Sequence, residues 1–524
     1  MDWQVWGLQH AAAAAAASGI SCPNTTLHFG CHLAPWGMQS DDTSTYMHWN
    51  GQFGSLLFFN HWEYMRNASF ARSAIYPLVA GLNNWFFCYF AKNVTDPETG
   101  AYEWVDFRAK NPDEALEGQR VVNPQMALAM AGRTLTMQRD IGEALGIPPP
   151  PYLSDLLAHT SAYNTAPWNW SWADPATRSF TLFNNTRCFN DVSGVVGATS
   201  PENCLAFCAN TLGCTNFSWS YGLQECWLYD AAVKTPACNP GTAGYLSGRN
   251  DGPPPNVTEV PVWASYRGAS AAQSFFIGVW YSVWPSEHLV SQGAPLDAAT
   301  AAIAQATSRA FTVWAGLWKG RVVDMFAAAV MAGWGASFGG APGGSVEACG
   351  APAPAFAFSP AEVLDGLLAQ LGSDCGGIPC WGPNLLIYAP GGGVENVGVS
   401  AAINAMLLGS VGGVGGYLQV FPFWPALESA NFTRLLGKGG FEVSAAFDAA
   451  AGRVASPVLV TSRYSLAAAP RVVLRSPWCA ATENELAVTC GGAETAFMWN
   501  ATARTLLWDA PVGVDCEVEW LPAT

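Results

Sequence analysis

Six cysteines placed close together constrain the fold of this chain more than any other feature. They fall between Cys188 and Cys238 of the 524 residues, with gaps of 15, 3, 5, 11 and 11 residues. So short a segment buries little apolar surface, so we expect disulfide bonds to stabilise it. Six cysteines can pair in 15 ways, and the sequence does not choose among them. Zinc is the alternative, but the segment contains no histidine.

The cysteine segment is predicted to be an insertion. Proline-rich stretches flank it at residues 148–151 and 251–256, and helical patterns lie on both sides. The Cys204-X3-Cys208-X5-Cys214 spacing, followed by "NFSW" and "ECWLY", resembles a PAN/apple module. That resemblance implies nested bridges, which would be Cys188 to Cys238, Cys204 to Cys226 and Cys208 to Cys214.

Composition and charge limit the class of protein and its location. The net charge is −16, which argues against binding a nucleic-acid backbone. Fifteen cysteines accompany nine Asn-X-Ser/Thr sequons, so we expect an extracellular or secretory-pathway protein. The sequons begin at Asn24, Asn67, Asn93, Asn169, Asn184, Asn216, Asn256, Asn431 and Asn500.

Two stretches could be taken for a signal peptide or a membrane span: one is rich in alanine and the other is uncharged. The alanine run at residues 11–17 has no basic segment before it, so we expect a helix of a folded domain more than a cleaved signal peptide. Residues 396–427 carry no charge, but glycine, proline and asparagine interrupt them. They predict a buried helix followed by a turn, and we expect no membrane span.

Helical patterns dominate the chain up to about residue 440. In residues 123–146, Asn123 is expected to cap a helix, Pro124 to lie in its first turn, and Gly146 to end it. Further helices are predicted over 69–91, 297–319, 359–372 and 399–410. After residue 440, "FEVSAAF" and "PVLVTSRYSL" alternate with near period two and predict strands.

Several long motifs resemble the family 95 glycoside hydrolases, which include α-L-fucosidases. They are "YMHWNGQFGSLLFFNHWEY", "NLLIYAPGGGVENVGVSAAINAMLLGS" and "LQVFPFWPALESANFTRLLGKGGFEVSA". The resemblance implies a mainly α fold: an (α/α)6 six-hairpin toroid, a C-terminal β-sandwich-like domain and the small disulfide-rich α+β insertion. The domains expected are 1–178 and 251–438 for the two parts of the toroid, 179–250 for the PAN/apple-like insertion, and 439–524 for the β domain.

The same resemblance implies hydrolysis of a carbohydrate substrate, an α-L-fucoside or α-L-galactoside, with inversion. Glu117 takes the place of the general acid, with Asp113 and Glu114 as nearby competitors. Glu395 lies at the position of the base that activates water, and Asn50 lies at the position of a residue that binds this water. The remaining predicted substrate contacts are His48, Trp49, Gln52 and Asn396. No cofactor or metal is expected.

Several of these residues also have a purely structural interpretation. Glu117 could be a solvated carboxylate of a first helical turn, favoured by the helix dipole. Asn50 could be a turn amide, and His48 a structural histidine. Arg434 and Lys438 could reach a cleft or lie on a solvated strand edge. A Cys22 to Cys31 bridge is expected in "CPNTTLHFGC".

A second function from a different class also fits. The chain could be a non-catalytic extracellular protein that binds a glycan or a matrix protein on a glycosidase fold. The PAN/apple-like module would then bind that ligand. Phosphate binding is excluded for "GGGVENVG", because this loop lacks the lysine and the Ser/Thr of a P-loop.

Overall fold

The computed structural model describes most of the chain. The described residues are 8–9, 11–13, 15–16, 19–29, 49–95, 99–107, 121–171, 180–184, 186–189, 194–197, 214–220, 225–230, 237–240, 245–250, 257–267, 281–284, 286–290, 296–314, 322–334, 336–337, 351–353, 357–371, 398–412, 416–464, 470–479 and 481–521.

The first two long helical segments follow each other directly. Helix α1 is Trp49–Met65, and the second segment begins when Asn67 Oδ1 accepts a hydrogen bond from the Phe70 backbone N–H at 3.0 Å. The helix predicted over 69–91 is present, with two π-helical turns in it. Its parts are α2 (Ala68–Phe70), a π-helix (Ala71–Ile75), α3 (Tyr76–Trp85) and a second π-helix (Phe86–Phe90).

Helix α4 (Gln125–Leu145) is the centre of the N-terminal helices. All residues from Gln125 to Gln138 are buried, so α4 is covered on every side. Gly146 ends it, as predicted, in the left-handed conformation with φ 66°. The prediction that Asn123 caps α4 is wrong. Pro124 holds the cap position, while Asn123 Oδ1 accepts a hydrogen bond from the Asp106 backbone N–H at 2.8 Å.

A second group of helices packs around one central member. Helix α7 contacts α6, α8 and α9, and its side chains share a core with α1 and α4. Gly366 permits the close packing of α8, because a Cβ there would lie 2.5 Å from the Phe326 ring. The helices are α5 (Pro151–His159) of the first group and α6 (Ala298–Trp314), α7 (Val322–Gly333), α8 (Pro360–Leu371) and α9 (Gly398–Leu407) of the second.

Strands of the first half form short sheets. β1 (Ala91–Thr95) pairs with β2 (Tyr102–Asp106), and β3 (Thr165–Ser171) pairs with β11 (Val257–Trp263), both antiparallel. Between β3 and β11 lie β4 (Phe180–Asn184), β5 (Thr186–Phe189), β6 (Gly194–Gly197), β7 (Cys214–Ser220), β8 (Glu225–Asp230), β9 (Ala237–Pro240) and β10 (Tyr245–Asn250). A parallel pair, β12 (Ala336–Ser337) and β13 (Ala351–Pro352), follows α7.

From Leu408 onward the chain is built from strands. One sheet has the order β14-β15-β20-β24-β23, and the other has β16-β17-β19-β25-β21-β22 with β18 beside β17. Buried side chains alternate along β17, and both sheets contribute to one core. The strands are β14 (Leu408–Ser410), β15 (Leu418–Val420), β16 (Ala430–Gly437), β17 (Phe441–Asp448), β18 (Arg453–Val454), β19 (Val458–Ser462), β20 (Arg471–Arg475), β21 (Leu486–Cys490), β22 (Ala493–Glu494), β23 (Met498–Asn500), β24 (Thr505–Asp509) and β25 (Asp515–Trp520).

The predicted (α/α)6 toroid is wrong. Among the described residues, nine α-helices with defined bounds lie among seven separate sheets, and the region from Leu408 onward is built from strands. Periodicity located several helices well, but it does not determine how many helices surround a common axis. In the described part of the chain, no helix is both long and apolar enough to cross a membrane.

Two disulfides with both cysteines among the described residues tie separate segments together. Cys22 bonds Cys88 at the end of the second helical segment, so the expected Cys22 to Cys31 bridge is wrong. Cys490 of β21 bonds Cys516 of β25, and these two residues are direct partners in the sheet.

Candidate functional site

Three of the residues predicted to bind sugar lie in the first turn of α1. Gln52 is buried, and its Nε2 donates a hydrogen bond to Thr134 Oγ1 of α4 at 3.3 Å. Trp49 packs partly buried against two core clusters, and Asn50 is half-buried. Gln52 therefore serves the packing of α1 on α4.

The predicted catalytic pair lies outside the described residues. Glu117 and Glu395 belong to the segments 108–120 and 372–397, and His48 and Asn396 are likewise outside. The convergence of these side chains with Asn50 on one pocket therefore stays a prediction.

Among the described residues, four charged side chains lie in contact at another place in the fold. We name them the buried charge cluster: Glu63, Arg133, Glu287 and Lys438. Arg133 Nη2 donates to Glu63 Oε2 at 2.6 Å, and Lys438 Nζ lies 3.1 Å from the same oxygen. Lys438 Nζ also donates to Glu287 Oε2. The side chains of Glu63, Arg133 and Lys438 are 2 to 3% exposed. Two cations and two carboxylates thus balance one another, and three of the four side chains are almost fully shielded from water.

Four parts of the chain are brought together at this cluster, and Glu287 comes from the described segment 286–290 before α6. Glu63 comes from the last turn of α1, Arg133 from the middle of α4, and Lys438 from the turn after β16. Backbone bonds fix the turn: the Gly439 N–H donates to the Glu63 carbonyl at 2.7 Å, and the Lys438 N–H donates to Ser410 Oγ at 2.6 Å. The cluster therefore joins the helices to the C-terminal sheets.

The pKa values follow from this arrangement. Burial opposes ionisation of Glu63, but the Arg133 and Lys438 cations outweigh it and lower the pKa to about 2. Burial likewise acts against the charged form of Lys438, but Glu287 and Glu63 outweigh it and raise its pKa. Glu63 and Lys438 are therefore both charged at neutral pH. Arg133 Nε and Nη1 are buried and have no hydrogen-bond partner among the described residues.

A neutral histidine lies next to the cluster. Burial, followed by the nearby Arg133 cation, lowers the pKa of His288 to about 4. The Tyr163 hydroxyl lies 2.5 Å from His288 Nδ1, and burial raises the pKa of that hydroxyl. Tyr163 therefore donates to the neutral ring. Gly132 of α4 makes room for the ring, since a Cβ there would lie 2.4 Å from it.

Sequence reasoning missed this cluster. The sequence allows Lys438 either in a cleft or on a solvated strand edge, and its burial excludes the solvated edge. Arg434 does lie at the surface, with its side chain 64% exposed. The glycines around the cluster are a sequence feature that could have indicated it. At Gly412, for example, a Cβ would lie 2.3 Å from Glu63 Oε1. Along α1, Glu63 of the cluster is about 20 Å from Asn50, so the cluster does not include the predicted water ligand.

The cysteine-rich insertion has its own sheet, with the order β4-β10-β7-β8-β6. Residues on both faces of β7 are buried: Phe217 and Trp219 on one, Ser218 on the other. Ser218 Oγ and its cross-strand partner Ser247 Oγ share a hydrogen bond of 2.6 Å. Both faces of this sheet are therefore covered at β7, as in a folded module.

The strand register bears on the predicted bridges of the insertion. Cys188 of β5 is the direct partner of Cys238 of β9. Directly opposite residues of antiparallel strands have Cα atoms about 4.5 to 5.5 Å apart, a separation that a disulfide can bridge. Cys204 and Cys208 lie outside the described residues. The pairings of Cys204 with Cys226 and of Cys208 with Cys214 stay predictions.

Comparison with known protein families identifies one part of the chain. The PAN domain family matches residues 177–250, the segment that carries the six cysteines. No glycoside hydrolase family matches, and no curated protein matches the chain. The predicted PAN/apple-like module is therefore confirmed, while the resemblance to glycoside hydrolases receives no support. Between β3 and β11, the chain contains a PAN domain.

Proposed function

We propose that this is an extracellular binding protein whose PAN domain binds a glycan or a matrix protein. The observation that carries the proposal is the PAN match at residues 177–250, because PAN domains are often extracellular and bind proteins or carbohydrates. The disulfides of the helical part and of the C-terminal sheets also suit an oxidising compartment.

The way the PAN domain is attached supports a binding role. The chain enters it along β3 and leaves it along β11, and these strands pair from Thr165 with Trp263 to Ser171 with Val257. The ribbon packs on α6, where Thr307 Oγ1 accepts a hydrogen bond from the Trp263 backbone N–H at 2.9 Å. Attachment through a two-stranded ribbon, with β6 against α6, suits a module whose other faces bind a ligand.

The ribbon also provides a clean test. Because Ser171 and Val257 are paired, residues 172–256 can be replaced by Asn-Gly, which forms the tight turn of a two-residue hairpin. The full chain and this excised variant are compared on a glycan array and on immobilised matrix proteins. We expect binding by the full chain and its loss in the variant. Equal binding by both proteins, or binding by neither, contradicts the proposal.

Glycoside hydrolysis is a second proposal, and it rests on the sequence motifs alone. Glu117 would protonate the glycosidic oxygen and Glu395, with Asn50, would activate water, a pairing that suits inversion. Hydrolysis of aryl α-L-fucoside and α-L-galactoside by the full chain tests it. Glu117→Gln and Glu395→Gln should each abolish turnover, and unchanged turnover in both variants rejects the assignment.

A further inference from the structure

The asparagines of the sequons share a position in the fold that the sequence does not show. Exposure of the side chain is described for five of them, and all five are exposed: Asn24, Asn67, Asn93, Asn431 and Asn500. Asparagines outside the sequons are more varied: Asn60, Asn404 and Asn484 are exposed, whereas others are buried. Asn83 and Asn123 are buried and hydrogen-bonded, and neither begins a sequon. The fold thus leaves space at these five positions for a bulky group on Nδ2.

Three of the five lie on strands that are terminal, among the described strands, in three different sheets. Asn93 is on β1 of a two-stranded sheet, Asn431 is on β16 at one end of the seven-stranded sheet, and Asn500 is on β23 at one end of the five-stranded sheet. Within the PAN domain, Asn184 is also on a terminal strand, β4, whereas Asn216 is on the interior strand β7.

Terminal strands are the places where sheets of separate molecules can pair. Their outward backbone N–H and C=O groups are a template for another strand, and folded proteins protect them with bulges, short strands or covering groups. β16 already has an irregular register between Phe432 and Leu435, with Arg434 at φ 54°. β23 has only three residues. Two of the three strands that carry these sequons, β16 and β23, therefore already show such protection.

We propose that Asn93, Asn431 and Asn500 carry N-linked glycans, and that these glycans cover three sheet edges and prevent pairing between copies of the chain. The proposal depends on passage through the secretory pathway, which the proposed function also assumes, and on nothing about the ligand of the PAN domain.

The chemistry needs only the usual donor of that compartment, an oligosaccharide linked to a lipid diphosphate. The asparagine Nδ2 attacks the anomeric carbon, an Nδ2–C1 bond forms, and the bond from C1 to the diphosphate oxygen breaks. The lipid diphosphate leaves, and Nδ2 loses one proton to a base of the transferase. At Asn500 the geometry of the folded protein suits the product, because Oδ1 accepts a hydrogen bond from the Ala503 N–H at 2.9 Å and Nδ2 bears the sugar.

The first measurement is site occupancy. The full chain is secreted from cultured animal cells, and its peptides are treated with peptide N-glycosidase in ¹⁸O-labelled water before mass spectrometry. We expect the label at Asn93, Asn431 and Asn500. Absence of the label from these three asparagines overturns the proposal, and it does so whether or not the PAN domain binds a ligand.

The second measurement is association in solution. A triple variant, Thr95→Ala with Thr433→Ala and Thr502→Ala, removes the three sequons by exposed changes and keeps each asparagine. A control, Asn24→Gln with Ser69→Ala, removes two exposed sequons outside the strands and keeps the Asn67 cap. By size-exclusion chromatography with light scattering, the triple variant should contain several-fold more associated protein than the control.

A third measurement avoids any effect of the substitutions on folding. Wild-type protein that has already folded is treated with peptide N-glycosidase under native conditions, and its far-UV circular dichroism is recorded alongside. The associated fraction should again rise several-fold while the spectrum stays the same. If the triple variant and the enzymatically treated protein stay as monomeric as the control, the glycans do not protect the edges.

Discussion

The PAN domain and the C-terminal sheets are joined to the helices in two different ways. The PAN domain is connected through the β3/β11 ribbon, and its strand β6 lies against α6. Among the described residues, the main apolar core includes no residue of the PAN sheet, but it runs from α1 through α7 into both C-terminal sheets. The buried charge cluster spans that second junction. The PAN domain is thus an attached module, and the C-terminal sheets fold together with the helices.

The largest effect is expected at the buried charge cluster. Lys438→Met leaves the buried Glu63 and the partly buried Glu287 without their shared cation. Breaking a buried ion pair from one side costs about 3 to 5 kcal/mol, so the free energy of unfolding should fall by that amount. Urea denaturation followed by tryptophan fluorescence measures it.

Arg434→Met is the matched control for Lys438→Met. Its side chain is 64% exposed and lies 3.8 Å from Glu442, so its loss should cost no more than about 1 kcal/mol. Equal losses for Arg434→Met and Lys438→Met would show that the junction does not depend on the buried cluster.

Acid should weaken the same junction in two pH ranges. His288 has a folded pKa of about 4 against 6.5 in the unfolded chain, so the unfolded chain binds the extra proton and stability falls as pH drops from 6.5 to 4. The Glu63 carboxylate has a folded pKa of about 2 against 4.5. Its contribution, on the order of 3 kcal/mol, is complete above pH 4.5 and is lost as pH falls toward 2.

Urea denaturation at a series of pH values separates these two ranges. His288→Gln keeps an acceptor for the Tyr163 hydroxyl but does not titrate. The variant should lose the dependence between pH 6.5 and 4 and keep the dependence at lower pH. Identical profiles for the variant and the wild type would show that another group titrates in the upper range.

A smaller effect is expected where α4 meets His288. In Gly132→Ala, the new Cβ overlaps the His288 ring, and overpacking of a core costs about 1 to 3 kcal/mol. Alanine regains up to about 1 kcal/mol of helix propensity, so a net loss of about 1 kcal/mol is expected from thermal or urea unfolding. Gly54→Ala in α1 has open space around its Cβ and should instead stabilise the protein.

The smallest effect is expected on removing the PAN domain. With Asn-Gly in place of residues 172–256, the ribbon and its small core on α6 are retained, including Ala166, Val260 and Ala306. The unfolding free energy of the remaining protein should change by less than about 1 kcal/mol, within the usual range of changes that leave cores intact. A collapse of its cooperative unfolding transition would show that the PAN domain is part of the same folding unit.

The sequence by itself determined the local features of this protein. The cysteine spacing identified the PAN domain, Gly146 ended α4, and the periodic apolar residues located the helices near 69–91 and 399–410. These features depend on a few neighbouring residues, because a left-handed glycine or an apolar stripe is specified within one or two turns.

Only the tertiary structure decided how these pieces fit together. It replaced the six-hairpin toroid with helices set among sheets, paired Cys22 with Cys88 instead of Cys31, and buried Lys438 beside Glu63. Each outcome depends on partners far apart in the chain. A lysine is buried only where carboxylates offset its lost hydration, and no local pattern around Lys438 names those carboxylates.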